Sequence, residues 1–82
     1  MKVWTLQTYR PVNNEMKPIK TSYYTSQLKA FKHVETTVNE SKLEQTSVNR
    51  YNSQHWTAEY KFTGDMEELG EVWFKIRSHK LN

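Results

Sequence analysis

Two alternating runs near the end of this chain limit its fold more than any other feature. Trp56, Ala58, Tyr60 and Phe62 alternate with Thr57, Glu59, Lys61 and Thr63; later, Val72, Phe74 and Ile76 alternate with Trp73, Lys75, Arg77 and His79. A period of two puts each set on one face of a strand. The runs therefore read as strands over Gln54–Thr63 and Glu71–His79, bracketing a compact acidic turn. The first buries an apolar face. The second also carries an indole and a row of basic groups on its other face, so fold and a candidate binding surface are read from the same residues.

The remaining elements follow from local chemistry. Val3–Arg10 is rich in β-branched and aromatic residues and reads as a strand ended by Pro11. Residues 11–18, two prolines framing Asn13-Asn14, are turn chemistry, and Ile19–Tyr24 reads as the hairpin partner. Thr25 or Ser26 can cap a helix to about Glu40, with Leu28, Phe31, Val34 and Val38 on its apolar side and Lys29, His33, Thr36 and Glu40 on the far side. Leu43–Tyr51 reads as a weaker strand with a turn at Asn52-Ser53. In Gly64–Gly70, Asp65 suits an N-cap and Gly70 a left-handed close. The order is β-β-α-β-β-β: an α+β domain over residues 1–82, with an antiparallel sheet of four to five strands and one helix packed on one face.

Size makes that core thin. An 82-residue chain buries only about two thirds of the surface it exposes when unfolded. Without cysteine there is no disulfide or thiolate metal site to staple it. At a mean hydropathy of −0.95, the 11 aromatic residues must supply much of the buried area. A marginal core favours partner binding or a homodimer without requiring either. No apolar run reaches membrane-spanning length and no signal peptide opens the chain, which points to a cytoplasmic protein with no membrane contact. The sequon Asn39-Glu40-Ser41 is then a chance match.

Most enzyme chemistries find no footing. The two glycines, Gly64 and Gly70, form no phosphate-cradling pattern, and His33, His55 and His79 lie on three different elements without ligand spacing. The carboxylates of Asp65, Glu67, Glu68 and Glu71 read as a solvated turn, and no nucleophile motif accompanies them. No catalytic, cofactor-binding or metal-binding residue is assigned. The expectation is a protein that is not an enzyme.

A partner-binding surface remains, and Trp73, Lys75, Arg77, His79 and Lys80 on the last strand are its candidate residues. An exposed Trp beside Arg and Lys is a common interface anchor, and acidic and basic groups held apart can steer association. In size and composition the chain resembles the compact accessory proteins of phages and other mobile elements, many of which block a host enzyme or defence complex. That resemblance implies a small inhibitor or adaptor with a protein partner. A nucleic-acid binder is the alternative, using the same strand with Lys2 and Arg10 if the first and last strands adjoin. It would be weak: neutralising about three phosphates gives a salt slope near −2.7. Net charge is +3, with residues 1–41 carrying six Lys/Arg against three acids and residues 42–82 six against six. That balance permits nucleic acid without demanding it.

Overall fold

The computed structural model describes residues 2–52 and 55–80. In chain order these form β1 (Lys2–Val12), β2 (Glu15–Tyr24), α1 (Gln27–Ser41), β3 (Leu43–Asn52), β4 (His55–Phe62), a 3₁₀ turn (Gly64–Leu69) and β5 (Glu71–Lys80). The strands make one five-stranded antiparallel sheet in the order β2-β1-β5-β4-β3, with α1 on one face. The expected α+β architecture and element order are those of the molecule. Asn52 closes β3; Ser53, the rest of the expected turn, and Gln54 lie outside the described residues.

The first hairpin is tighter and longer than the sequence suggests. Asn13 and Asn14 both adopt positive φ, 53° and 66°, and Val12 pairs with Glu15 across them. Two such residues make the primed turn whose twist matches flanking strands, and Asn tolerates it. Neither proline interrupts the ladder, for a geometric reason. In a two-residue hairpin the pair flanking the turn exchanges both hydrogen bonds, so the next pair outward exchanges none. Pro11↔Met16 and Tyr9↔Pro18 occupy such positions, leaving each proline nitrogen pointed away from its partner. Pro18 lies on the sheet edge, and β5 pairs with β1 only as far as Tyr9.

The helix begins at Ser26, whose hydroxyl accepts from the Lys29 amide at 3.2 Å, and closes at Lys42 in the left-handed region, whose amide donates to the Val38 carbonyl. Its buried line runs through Ala30 and Val34; Leu28 is 64% exposed. The apolar stripe is thus rotated from the expected one because Ala30, fully buried, lets the helix approach the sheet closely. Phe31 still reaches inward, edge-on to Trp56 at 4.9 Å between ring centroids. His33 also departs from the expected far side: its Nδ1 meets the Tyr24 hydroxyl.

Around α1 the core gathers Leu6, Trp56, Ala58, Tyr60, Val72, Phe74 and Ile76, all from one face of the three central strands. The 3₁₀ turn joins β4 to β5 with Gly70 at φ 79°. Asp65 is not its cap. Thr63 holds that position without a side-chain cap bond, because its hydroxyl donates instead to the Lys42 carbonyl at 2.7 Å.

Phe74 is 1% exposed on the middle strand. Truncating such a ring costs about 3–5 kcal/mol, against about 5–15 kcal/mol of total stability for a typical domain. Phe74→Ala should therefore lower the urea midpoint by about a third or more, read by far-ultraviolet circular dichroism; a small shift would show that the core is centred elsewhere.

Candidate functional site

The site begins with a matter of parity. On β5 the buried residues are Val72, Phe74 and Ile76, so Glu71, Trp73, Lys75, Arg77 and His79 stand on the sheet face opposite α1. Among the described residues no element covers that face. Four of the five residues singled out from sequence are thus brought into one row on the central strand. Lys80 is not among them: it shares the parity of Val72, Phe74 and Ile76, and its register partner is Lys2. The helix-side parity of β1 also takes Arg10 away from the row. The Arg10 guanidinium lies 4.8 Å over the Phe62 ring and donates to the Leu69 carbonyl at 2.7 Å, pinning the 3₁₀ turn to β1. The first and last strands do adjoin, but neither Lys2 nor Arg10 adds charge to the open face.

The neighbouring strands supply residues that the sequence alone does not place. Register sets Tyr9 of β1 beside Trp73 and Glu59 of β4 on its other side. The Trp73 indole N–H donates to a Glu71 carboxylate oxygen at 3.1 Å, and Lys75 Nζ lies 5.2 Å from the centre of the Tyr9 ring. Tyr9 in turn donates its hydroxyl to the Gln7 side-chain carbonyl at 3.1 Å. Trp73 is half-buried by its own sheet neighbours, so it is neither fully exposed nor covered by a second layer. Tyr9, Met16, Trp73, Thr57 and Glu59 line a small hollow of about 120 Å³.

Toward the other end of β5 the surface changes character. Thr5, Gln7, Thr21, Tyr23, Arg77 and His79 line an open depression of about 480 Å³ with no carboxylate in its lining. Thr5 donates to the Arg77 carbonyl at 3.3 Å and lies 3.1 Å from His79 Nε2. The contact with Thr5 steadies the His79 imidazole against β1. Tyr23, on the edge strand, is 69% exposed, whereas Tyr24 turns to the core side. The row thus runs from a carboxylate at Glu71, through an indole and an ammonium, to a guanidinium and an imidazole.

What the sequence misses here is Tyr9, Met16, Tyr23 and Glu59. The alternation of Tyr9, Tyr23 and Glu59 is visible in sequence, whereas Met16 falls among residues that read as a turn; the approach of all four to Trp73 or Arg77 depends on strand pairing around β5. No local signal in one sequence carries that. The three histidines remain apart in role: His33 meets Tyr24, His79 meets Thr5, and His55 is paired in register with Arg77.

His55 responds to this setting. Partial burial, followed by the charges of Arg77 and Lys75, lowers its pKa below the ordinary 6.5. The folded state therefore holds it neutral where the unfolded chain already takes up a proton, so stability falls as pH drops through 6.5 and levels off below the folded pKa. His55→Gln should show a smaller loss of Tm than the native chain between about pH 7.5 and about pH 5.5. Equal losses in differential scanning calorimetry would show that this histidine is not the one responsible.

No protein-family model, no curated protein and no solved structure matches this chain.

Proposed function

We propose that this chain is a non-enzymatic protein-binding module that engages its partner through the open face of the sheet. It is a small inhibitor or adaptor of the kind found among the accessory proteins of phages and other mobile elements, acting on a host enzyme or defence complex. The observation that carries the reading is a half-buried Trp73, held by Glu71 and flanked by Tyr9, next to Lys75 and Arg77 on the central strand of the open sheet face. Aromatic and Arg side chains in the middle of a patch, with polar groups around them, are the anatomy of a protein interface.

Local charge and ring geometry favour protein over nucleic acid. Glu59 and Glu71 stand beside Trp73, where a phosphate chain stacking its bases on that indole would have to pass. Lys75 already lies over the Tyr9 ring, the face a base would need. Lys2, Arg10 and Lys80 are on the helix-side parity and cannot add phosphate contacts from this surface.

Lys75→Glu with Arg77→Glu tests the reading. Arg77 is exposed, and losing the Lys75–Tyr9 contact costs about 0.5–1 kcal/mol, so the double variant should melt within a few degrees of the native protein. Affinity capture from source-cell extract, with nuclease treatment and mass-spectrometric readout, should lose the proteins the native chain retains. Unchanged capture would exclude this face. Micromolar binding of random oligonucleotides with a steep salt slope, seen by fluorescence polarisation, would put the nucleic-acid reading first.

A further inference from the structure

We propose that in the free protein the open sheet face is occupied by a second copy of the chain, stacked face to face about a two-fold axis that crosses β5 at the level of Phe74. The inference rests on the reading of this face as a protein-contact surface and names its occupant when no other protein is present. Its basis is a self-complementary pattern. Outward from residue 74, the open-face positions of β5 are Trp73 and Glu71 in one direction and Lys75 and Arg77 in the other. A two-fold axis lying between the sheets and perpendicular to the strands runs β5 antiparallel to its copy. Positions equidistant from residue 74 then face each other: Glu71 meets Arg77 of the second copy, and Trp73 meets Lys75, each contact occurring twice. This is the reciprocity that a closed two-fold interface requires.

The alternative axis, along the strands, sets each position over itself. Lys75 would then lie on Lys75 and Arg77 on Arg77, so the charge pattern selects the antiparallel stack. Glu59 sits level with Trp73 on the next strand, and the incoming ammonium arrives between an indole face and a carboxylate. Stacked sheets lie about 10 Å apart with their strands about 30° from aligned, and that rotation displaces positions near the axis least.

Topology and size agree. An axis perpendicular to the strands keeps each of the five strands at its own lateral position, so every strand lies over its own copy and none overhangs. A standard interface takes about 800 Å² from each partner, and a two-layer molecule of 44 × 26 × 20 Å offers a sheet face of that order. The sheet edges are blunted against the competing mode, edge-to-edge extension. On β2 stand Pro18, Lys17 and Lys20, with Ile19 as an extra bulged residue; on β3 the bulged Thr46 donates its hydroxyl to the Glu59 carbonyl across the ladder.

Charge exchange tests this contact. By sedimentation equilibrium the native chain should be dimeric, and Glu71→Arg alone or Arg77→Glu alone should each raise the dimer dissociation constant at least about tenfold. An equimolar mixture of the two variants should restore a heterodimer, since each then supplies the charge the other has lost. A native chain that stays monomeric at about 100 µM, a dimer that survives both substitutions, or a mixture that stays monomeric while both variants melt like the native chain would each overturn the proposal. If either variant fails to fold, Glu71→Gln and Arg77→Gln replace them, and each must still weaken the dimer. A monomeric native chain whose partner capture is still lost in the Lys75→Glu/Arg77→Glu protein would end the dimer and leave the proposed function; a rescued heterodimer with unchanged capture would do the reverse.

Discussion

Everything in this molecule depends on β5 having a neighbour on both sides. It joins β1, from the other end of the chain, to β4, its predecessor in sequence, in unbroken register: Leu6 and Trp56 both stand opposite Ile76, and Thr8 and Ala58 both stand opposite Phe74. Without that seam the β1–β2 hairpin would stand apart from the β3–β4–β5 run, and an isolated two-stranded hairpin holds together poorly in water. The seam also makes the core. Phe74 and Ile76 are 1% and 0% exposed because they have strands on both flanks and α1 above.

The same seam determines what the opposite face looks like. One helix of 15 residues can cover one side of a five-stranded sheet and no more. A strand buried on both faces reads as a continuous apolar run, whereas one buried on a single face alternates. The alternation in β5 is therefore the sequence correlate of having a single layer above it. The polar set is not the Thr- and Lys-rich surface that would merely solvate a sheet. It contains an indole tied to a carboxylate, an ammonium over a phenol ring and an imidazole bonded to a threonine, contacts that fix side chains in place before any partner arrives. Preorganisation of that kind lowers the entropy cost of association.

How much of this was legible in one sequence divides along the range of the interactions. The strands over residues 55–62 and 71–80 were legible because alternation is local, and α1 was legible because Ser26 and the apolar spacing are local. Two prolines hid the length of the first hairpin, since their tolerance depends on which ladder positions exchange hydrogen bonds, and that is set by an Asn-Asn turn less distinctive than Asn-Gly. The shift of the helix face was hidden as well: Phe31, Val34 and Val38 lie on the expected side, but Ala30 replaces Leu28 at its border, and a small residue marks an apolar face less strongly in sequence although it permits the closer approach. In the candidate site, Trp73, Lys75, Arg77 and His79 were legible as a row because they share one strand. Tyr9 and Glu59 were not, because their place beside Trp73 depends on strand order. Lys80 joins the row by charge alone, because its parity assigns it to the other face.

Charge on the helix side of β1 and on the open side of β5 is organised along the same axis. Arg10, on the helix side, spends its guanidinium on the Phe62 ring and the Leu69 carbonyl, an internal strut that holds the 3₁₀ turn and its acidic residues at one end of the molecule. Glu71 follows directly on that turn, so the strut also fixes where the acidic end of the β5 row begins. Arg77 and His79 fix where the basic end lies, at the opposite end of the same strand. Under the proposed two-fold stack, the surface dipole along the central strand sets a direction as well as a position. Antiparallel alignment satisfies it and parallel alignment opposes it.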